Sequence, residues 1–381
     1  MTKSIGSFLA YLKSVYGKQL AKSKVLKVVY GNQSADFDSV MCAVAYAYCS
    51  YQNNPDEVLV PVIGISREEL SLRRDVTRAL ARANVEEDHL FFLEDLKLLR
   101  EKYGSVRAVL VDHNELELGA EHYVDQVIGV IDHHKDAGLY PEVEPRIVRT
   151  AGSCSSLVIN YWRNIVTDPS LIKDAALLCS GAGIIDTSNF TQRVEDLDRQ
   201  ACQFYSSLFP ELDMDSLYKQ IKHDKDDLDG MSIAEILKKD YKEFDFKALD
   251  GKTVKVGIAS AVKPLSWFYQ TFNGEPIFEQ ECYEMQKQKN VDIFVVMTAW
   301  MNGSQFEREL VIMSPLEETC QAIVAGIWKR LDLEEKISSS LSAKSLGSFK
   351  TFQQRNISAS RKQVAPYVKD AIEKSYFAKV A

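Results

Sequence analysis

Acidic and histidine side chains that could bind divalent cations recur through the first half of the sequence. In chain order they are Asp36, Asp38, Asp112, Asp132, His133, His134 and Asp186. Carboxylate oxygens combined with imidazole nitrogen suit Mg²⁺ or Mn²⁺, and no cysteine joins the set, which argues against a structural zinc site. An Asp-x-Asp pair can serve two ions, and such a pair of ions activates water for in-line attack on a phosphoryl group. The set therefore predicts metal-assisted phosphoryl chemistry.

Apolar segments of strand type precede most of these acids. They are VLKVVY (25–30), EVLVPVIGI (57–65), VRAVLVDHNE (106–115) and VDQVIGVIDHHKD (124–136). Helical patterns separate them, and this alternation predicts a parallel sheet covered by helices. Ligands of such sheets bind beyond the carboxyl ends of the strands. A single Asp after a strand is more often a helix cap or a turn residue. The whole set of carboxylates at one sheet edge would repel one another, and a cation would be needed to offset that repulsion.

Two helices of the first half are also predicted. The segment SREELSLRRDVTRALARA (66–83) is predicted to be a helix with Ser66 as its N-cap. The segment DAALLCSGAGIIDTSNF (174–190) is predicted to be a helix that breaks at Gly181 and Gly183. In GSCSS (152–156), a helix start could offer N–H groups to an anion, or a serine could simply cap the helix.

The second half has its own strands, at 253–262, 291–300 and 308–314. The polar, acidic stretch between the halves is interpreted as a solvated linker. We therefore predict an α/β protein with an N-terminal parallel sheet flanked by helices and a smaller C-terminal α/β domain. The expected bounds are 1–208 for the metal-binding domain, 209–230 for the linker and 231–381 for the second domain.

Composition narrows the function classes. The chain has 381 residues, 46% of them hydrophobic and 26% charged, which is typical of a globular protein with room for two cores. The net charge of −8 argues against a nucleic-acid partner, and no apolar run is long enough for a membrane span. The seven scattered cysteines, without a CxxC pair, favour a reducing compartment. We expect a cytoplasmic monomer.

Six motifs in order resemble those of a known group of enzymes. They are NQSADFDS, VDHN, DHH and DTSNF in the first half, followed by DYKEF (240–244) and SRKQVAP (360–366). The first four resemble the DHH phosphoesterase superfamily, and the last two resemble the phosphate-binding motifs of the accessory, DHHA2-type domain shared by manganese-type pyrophosphatases and cytosolic exopolyphosphatases. GNQSADFDS and GSCSS are most similar to eukaryotic exopolyphosphatases of the yeast and trypanosomatid type, with prune-like proteins next.

The resemblance implies roles for the metal-binding residues. Two divalent cations are implied, with Mg²⁺ expected first and Mn²⁺ or Co²⁺ as alternatives. Their ligands would be Asp36, Asp38, Asp112, His133 and Asp186, with Asp112 shared by both ions. Asn32 stands where pyrophosphatases have a histidine, and because an amide oxygen is the harder ligand, this change favours Mg²⁺.

Other residues would serve the substrate and the reaction. His134 would face the phosphate, and Asp132 would orient the two neighbouring histidines. Ser153 would bind phosphate at the start of its helix. Lys242, Arg361 and Lys362 of the second domain would bind phosphates; in addition, the last 41 residues hold eight Lys or Arg against two acids.

The implied activity is that of an exopolyphosphatase, a metal-dependent hydrolase of phosphoric anhydrides that releases terminal orthophosphate from inorganic polyphosphate. The alternatives are an inorganic pyrophosphatase or a prune-like nucleotide phosphodiesterase. A non-catalytic polyphosphate-binding protein is a further alternative, but such a protein would be expected to have lost some of the acids, and all are present.

Overall fold

The computed structural model describes residues 4–17, 24–116, 120–336 and 347–375. The chain divides into two compact units, Met1–Asp227 and Leu228–Ala381. Each unit is built on its own six-stranded sheet, which confirms the predicted α/β class with two domains. Lys344 and Lys379 of the basic C-terminal stretch lie outside the described residues. No helix in the described ranges is both long and apolar enough to cross a bilayer.

The first unit contains a wholly parallel sheet, as predicted. Its strands are β1 (Val25–Tyr30), β2 (Val60–Ile63), β3 (Phe91–Phe92), β4 (Ser105–Val111), β5 (Gln126–Asp132) and β6 (Arg146–Val148). They lie in the order β3-β2-β1-β4-β5-β6. The central strands are rich in β-branched residues and buried on both faces, as expected for a sheet covered by helices.

Helices cover both faces of this sheet. They are α1 (Ile5–Gly17), α2 (Phe37–Asn53), α3 (Arg74–Arg82), α4 (Leu93–Lys102), α5 (Cys154–Arg163), α6 (Lys173–Asp186), α7 (Asp196–Leu208) and α8 (Met214–Asp226). Helix α1 packs on the core through one apolar face, in which Ile5, Phe8, Leu9 and Leu12 are fully buried. Helix α2 is buried along almost its whole length and packs against α5 and α6.

The sheet brings three of the predicted site segments to one edge. Strands β1, β4 and β5 are neighbours and parallel, so the residues that follow them emerge side by side. The loop after β1 leads to Asp36, Asp112 follows β4 directly, and Asp132 is the last residue of β5. Asp186 arrives by another route, because it ends helix α6 rather than a strand.

Helix α6 differs from its prediction, because it runs without a break through both glycines. At Gly181, an added Cβ would lie 3.0 Å from Ile221 and 3.4 Å from Phe37, and at Gly183 it would lie 3.2 Å from Phe190. The two glycines therefore permit close packing of neighbouring side chains against the helix. Their cost in helix propensity is offset by this burial.

The helix predicted after Ser66 is divided in two. Residues Arg67–Leu72 form a 3₁₀ helix that begins at a capping box of Ser66 and Glu69, and α3 begins only at Arg74. Ser66 is thus the cap that the sequence indicated, but of a shorter element.

The expected solvated linker is also different in the structure. Most of the segment 209–230 is helix α8, which packs against α3 and α6 of the first unit, with Ile221 only 1% exposed. The acidic residues at the end of the segment's helix are paired rather than solvated. Asp224 bonds to Arg78 and Arg82, each at 2.8 Å, and Asp227 bonds to Arg74 and Arg78 at 2.7 and 2.6 Å. The partners lie about 140 residues away in sequence, so local composition could not reveal them.

The second unit has a mixed sheet. Its strands are β7 (Tyr241–Lys247), β8 (Thr253–Ala261), β9 (Ile293–Asn302), β10 (Gln305–Ser314), β11 (Leu333–Lys336) and β12 (Ser348–Gln354). They lie in the order β11-β12-β10-β9-β8-β7, and only β8 and β9 run parallel. The helices are α9 (Ile233–Lys239), α10 (Leu265–Thr271), α11 (Glu275–Lys289), α12 (Glu317–Leu331) and α13 (Arg361–Glu373). One core lies under α12 and α13, and the other lies under α9, α10 and α11.

The ion pairs between α3 and α8 generate a test of stability. We expect Asp224→Asn to lower the free energy of unfolding by about 1–2 kcal/mol, because a nearly buried carboxylate that bonds to two guanidinium groups is replaced by a neutral amide. Chemical denaturation followed by circular dichroism measures the change. Glu57→Gln is the control, since Glu57 forms an exposed pair with Lys27 in the same unit, and we expect no measurable change. Equal effects of the two substitutions would contradict a stabilising role for the α3–α8 pairs.

Candidate metal and phosphate site

Asp38 is held by the N-terminus of helix α5. Its carboxylate is 4% exposed and accepts the backbone N–H groups of Cys154 at 2.7 Å and Ser155 at 2.9 Å. The thiol of Cys42 donates to the same carboxylate at 3.3 Å. A helix N-terminus favours negative charge, so α5 stabilises Asp38 as an anion and fixes its direction.

This arrangement corrects the expectation for Ser153. The N–H groups that follow Ser153 bind the protein's own carboxylate, Asp38, and are not left over for a phosphate. Ser153 itself is fully buried, with its hydroxyl 2.7 Å from that of Ser155. Its position supports a part in the start of α5 and does not place it where a substrate would bind.

Asp36 is the N-cap of helix α2. One carboxylate oxygen accepts the N–H of Ser39 at 3.1 Å. Among the described residues no donor bonds to its other oxygen, so this oxygen is available to a cation. The capping role and the metal-binding role are therefore compatible in this side chain.

Asp112 lies at the centre of the group. It adopts a left-handed backbone conformation with φ of 63° and is 2% exposed. Its Oδ2 accepts the Nδ2 of Asn32 at 2.7 Å. Its Oδ1 lies 3.2 Å from Nε2 of His133, and no donor in the described part of the chain is aligned to hydrogen bond to it. A buried carboxylate oxygen without a hydrogen bond is costly unless a cation binds it.

The orientation of Asn32 differs from the expected metal ligand. Its amide oxygen accepts three bonds, from the N–H of Ser34 at 3.0 Å, the hydroxyl of Ser34 at 2.7 Å and the N–H of Ala35 at 3.1 Å. Its nitrogen is the atom that faces Asp112. Asn32 therefore acts here as a hydrogen-bond donor that positions Asp112, because its oxygen is engaged by the loop.

The two adjacent histidines have different partners. His133 places Nδ1 against the carbonyl of Ala151 at 3.0 Å, which leaves Nε2 facing Asp112. His134 places Nδ1 against Asp132 at 2.8 Å. Single ligand atoms of Asp112, His133 and His134 lie within 4.8 Å of one another, a grouping that could hold a metal ion. Since Nδ1 of His134 is engaged by Asp132, the geometry favours Asp112 and His133 as the ligands.

Asp186 completes the group from the end of α6. Burial raises its pKa well above the usual range, and the negative charges of Asp38 and Asp36 raise it further. The pKa of Asp112 is raised by the same causes, burial first and then the charge of Asp38, while His133 opposes the shift. The carboxylates are thus close enough to destabilise one another as anions.

The protonation of the histidines reflects the same charges. Burial lowers the pKa of His133, but its contact with Asp112 and the charge of Asp38 outweigh burial and raise the pKa to about 10. At Asp132 burial raises the pKa, and the bonds from His134 and Asn114 outweigh it, so the net pKa is lowered.

These residues fit divalent cations. They offer an orphaned buried oxygen on Asp112, a free oxygen on Asp36 and a histidine that holds a proton only because carboxylates surround it. Oxygen ligands with one imidazole suit Mg²⁺ and Mn²⁺. A cation would remove the repulsion that raises the pKa of Asp112 and Asp186.

The predicted basic residues of the second unit meet at one place. Arg361 begins α13 and bonds to the carbonyl of Asp240 at 2.8 Å and to its carboxylate at 2.6 Å. This contact joins the start of α13 to the start of β7, where Lys242 lies. Lys362 is exposed, and neither Lys242 nor Lys362 has a hydrogen bond or ion pair in the described residues. The structure thus brings the three residues to one edge of the unit, with part of Arg361 already engaged.

Sequence reasoning missed Asn114. Its side chain is buried and donates to Asp132 and to the carbonyl of Lys135, the latter at 3.1 Å. The feature of the sequence that could have indicated a role for Asn114 is its position two residues after Asp112, in the VDHN motif. Nothing in that spacing shows that its partner is Asp132 on the next strand.

Comparison with known proteins finds two domain models that match the chain. The model of the DHH family, N-terminal domain, matches residues 27–184, and that of the DHHA2 domain matches residues 219–371. A Schizosaccharomyces pombe protein named "Putative exopolyphosphatase" is 29% identical over 357 residues, covering 91% of this chain and 90% of that protein. The human "Exopolyphosphatase PRUNE1" is 26% identical over 373 residues, covering 94% of this chain and 78% of that protein.

A solved structure shares the fold. It is that of a Methanococcus jannaschii "putative family II inorganic pyrophosphatase", with a TM-score of 0.60 and 18% identity, covering 91% of this chain and 99% of that one. The two family models together span most of the chain, in the order of the two units that the structure shows. The chain therefore contains a DHH N-terminal domain followed by a DHHA2 domain.

Proposed function

We propose that the chain is an exopolyphosphatase that releases terminal orthophosphate from inorganic polyphosphate with the help of two divalent cations. The observation that carries the proposal is the group of Asp38, Asp112, Asp186 and His133, in which a cation would offset the repulsion between the carboxylates. Relatives named as exopolyphosphatases match more than nine-tenths of the chain, which supports polyphosphate as the substrate. We also propose a cytoplasmic monomer, without nucleic-acid or membrane partners.

The cations would be held by Asp36, Asp38, Asp112, His133 and Asp186. Bound there, divalent cations would stabilise the charge of the phosphoryl group and lower the pKa of a bridging water. Relatives at 23–27% identity are named as manganese-dependent pyrophosphatases, which supports divalent metal use. We propose Mg²⁺ first, with Mn²⁺ or Co²⁺ as alternatives.

The chain's own residues would keep this site rigid. Helix α5 and Cys42 fix Asp38, and Asn32 fixes Asp112. Because these partners are backbone groups or buried side chains, the carboxylates need little reorganisation when they act, which is the basis of electrostatic preorganisation.

His134 would bind the substrate's phosphate through Nε2. Its Nδ1 is engaged by Asp132, and its side chain is 39% exposed. With Nδ1–H bonded to Asp132, Nε2 can donate to a phosphate oxygen in the imidazolium form, and in the neutral form it can accept a proton from the phosphate or from water. In the second unit, Lys242, Arg361 and Lys362 would bind further phosphates, since guanidinium and ammonium groups suit phosphate oxygens.

The function is tested by phosphate release from polyphosphates of several lengths, with Mg²⁺, Mn²⁺ or Co²⁺. We expect tripolyphosphate to yield orthophosphate and pyrophosphate, with pyrophosphate left uncut. Asp112→Ala should lower turnover by at least about 1000-fold, because several kcal/mol of transition-state stabilisation depend on the cations that it holds. Asp168→Asn, which alters an exposed cap of a 3₁₀ helix, should leave turnover unchanged.

Each other product pattern would favour a different function. Cleavage of pyrophosphate would support the pyrophosphatase alternative, and hydrolysis of a nucleotide phosphodiester would support a prune-like phosphodiesterase. Polyphosphate binding without phosphate release would indicate a non-catalytic protein. Full activity of Asp112→Ala would contradict the assignment of this residue as a shared ligand.

The basic edge of the second unit can be tested separately. We expect Lys362→Ala to raise the KM for polyphosphate about 10-fold, since losing one charged contact to phosphate costs roughly 1.4 kcal/mol. Lys369→Ala is the matched control, because Lys369 is exposed on the same helix and lies 3.7 Å from Glu373. Equal KM values for the two variants would count against a phosphate-binding role for Lys362.

Metal binding should release protons. His133 must be neutral to be a ligand, and in the metal-free protein its pKa is raised to about 10. At pH 7.5 it therefore carries a proton, and we expect about one proton released from this residue when Mn²⁺ binds. Titration calorimetry in two buffers of different ionisation enthalpy counts the protons. His133→Gln should reduce the number of protons released by about one, and His223→Gln should leave it unchanged; an unchanged number in His133→Gln, or identical heats for the unaltered protein in both buffers, would refute the prediction.

A further inference from the structure

We propose that Asn114 is a positioning residue that, through Asp132, fixes the orientation and tautomer of His134 at the phosphate site. The inference rests on the proposed function for its consequence in catalysis, but its geometric part stands on contacts within the first unit. It assigns a task to a residue of the VDHN motif that is neither a metal ligand nor a contact of the substrate.

The amide of Asn114 has one orientation. Its nitrogen donates to Oδ2 of Asp132 and to the carbonyl of Lys135 at 3.1 Å, while its oxygen accepts the N–H of Ala137 at 2.8 Å. A flipped amide would set nitrogen against an N–H group and oxygen against a carboxylate and a carbonyl, losing all three bonds. Because the side chain is only 6% exposed, water does not readily replace these partners.

Asp132 transmits this orientation to His134. The carboxylate is fully buried, and its Oδ1 accepts both the backbone N–H of His134 at 3.2 Å and the ring Nδ1 at 2.8 Å. Asn114 is the donor to the other oxygen. Without it, one buried oxygen would lack a partner and the carboxylate could rotate, which would move the acceptor of His134.

The position of His134 depends on that acceptor. Its Nδ1 is 2.8 Å from Asp132 but also only 3.8 Å from Oδ1 of Asp112. As long as Asp132 holds the Nδ1–H, Nε2 is the nitrogen left for the phosphate and the ring stays off Asp112. If Asp132 rotates, Asp112 becomes a competing acceptor, and His134 would leave the phosphate site for the metal site.

A purely structural role for Asn114 is the competing explanation, since it also braces residues 135 and 137. Asn114→Asp keeps the acceptor for Ala137 and removes the donor to Asp132, together with the bond to the carbonyl of Lys135. A control that also loses a buried bond to a carbonyl therefore separates the two roles. The matched control is Asn160→Asp. Asn160 is equally buried in the same unit, and its Nδ2 donates to the carbonyl of Leu197 at 2.8 Å, far from the motif in sequence.

The experiment compares kcat, KM, melting temperature and histidine tautomers in both variants of the full chain, loaded with Mg²⁺. We expect Asn114→Asp to lower kcat by about 10–100-fold, with a smaller change in KM, as is typical for partners that orient catalytic side chains. The control should lose a similar amount of melting temperature and keep kcat. Long-range ¹H–¹⁵N spectra of ¹⁵N-histidine protein, assigned with His134→Gln, should show the Nδ1–H form of His134 lost only in Asn114→Asp.

Two results would overturn the inference. One is equal loss of kcat in both variants, which would mean that Asn114 acts only through stability. The other is an unchanged His134 tautomer in Asn114→Asp. Should that variant fail to fold, Asn114→Ser, which adds no charge, carries the same expectation. If the unaltered protein releases no phosphate from polyphosphate, the proposed function fails, whereas the spectra still decide the role of Asn114.

Discussion

Mutual repulsion among buried carboxylates is the constraint on which the first unit depends. Asp112 and Asp186 both have pKa values raised by burial and by the charge of Asp38, and in water-excluding surroundings such charges cannot coexist without compensation. The N-terminus of α5, the amide of Asn32 and the imidazole of His133 offset part of this repulsion. A bound cation would offset the rest of the repulsion between the carboxylates.

This constraint explains why the site is built from regular elements. Asp36 caps α2, Asp38 occupies its first turn, Asp132 ends β5 and Asp186 ends α6. A flexible loop would let the carboxylates separate and relieve their repulsion, whereas residues fixed by helix and strand ends cannot move apart. The left-handed backbone of Asp112, with φ of 63°, is the strained exception and turns the chain toward Asn32.

The sequence was sufficient for features set by short-range pattern. Apolar runs ending in Asp predicted the parallel strands, and parallel order then placed Asp36, Asp112 and Asp132 at one edge. It was insufficient where the deciding partner is distant. Helix α8 was mistaken for a linker because the arginines that pair with it lie on α3, and the glycines of α6 were mistaken for a break because the aromatic rings packed on them were unknown.

The directions of the side chains at the site also could not be predicted from the sequence. The sequence indicated a loop position for Asn32 and a helix start for Ser153, but the roles of both residues depend on which atom faces which partner. The amide oxygen of Asn32 accepts hydrogen bonds from Ser34 and Ala35 within its own loop. The N–H groups that follow Ser153 donate to Asp38, a residue of another helix. Hydrogen-bond satisfaction decides such cases, and it can be assessed only when all partners are known.

The two histidines of the DHH motif show how neighbouring identical side chains acquire different tasks. Their rings are nearly perpendicular, at 82°, with centroids 4.5 Å apart. His133 has Nδ1 on a backbone carbonyl, a neutral acceptor, so Nε2 is free to face Asp112. His134 has Nδ1 on a carboxylate, which stabilises the ring as a donor. The different roles that we propose for the two histidines, metal ligand and phosphate contact, therefore follow from the acceptor behind each ring, since the two side chains are chemically the same.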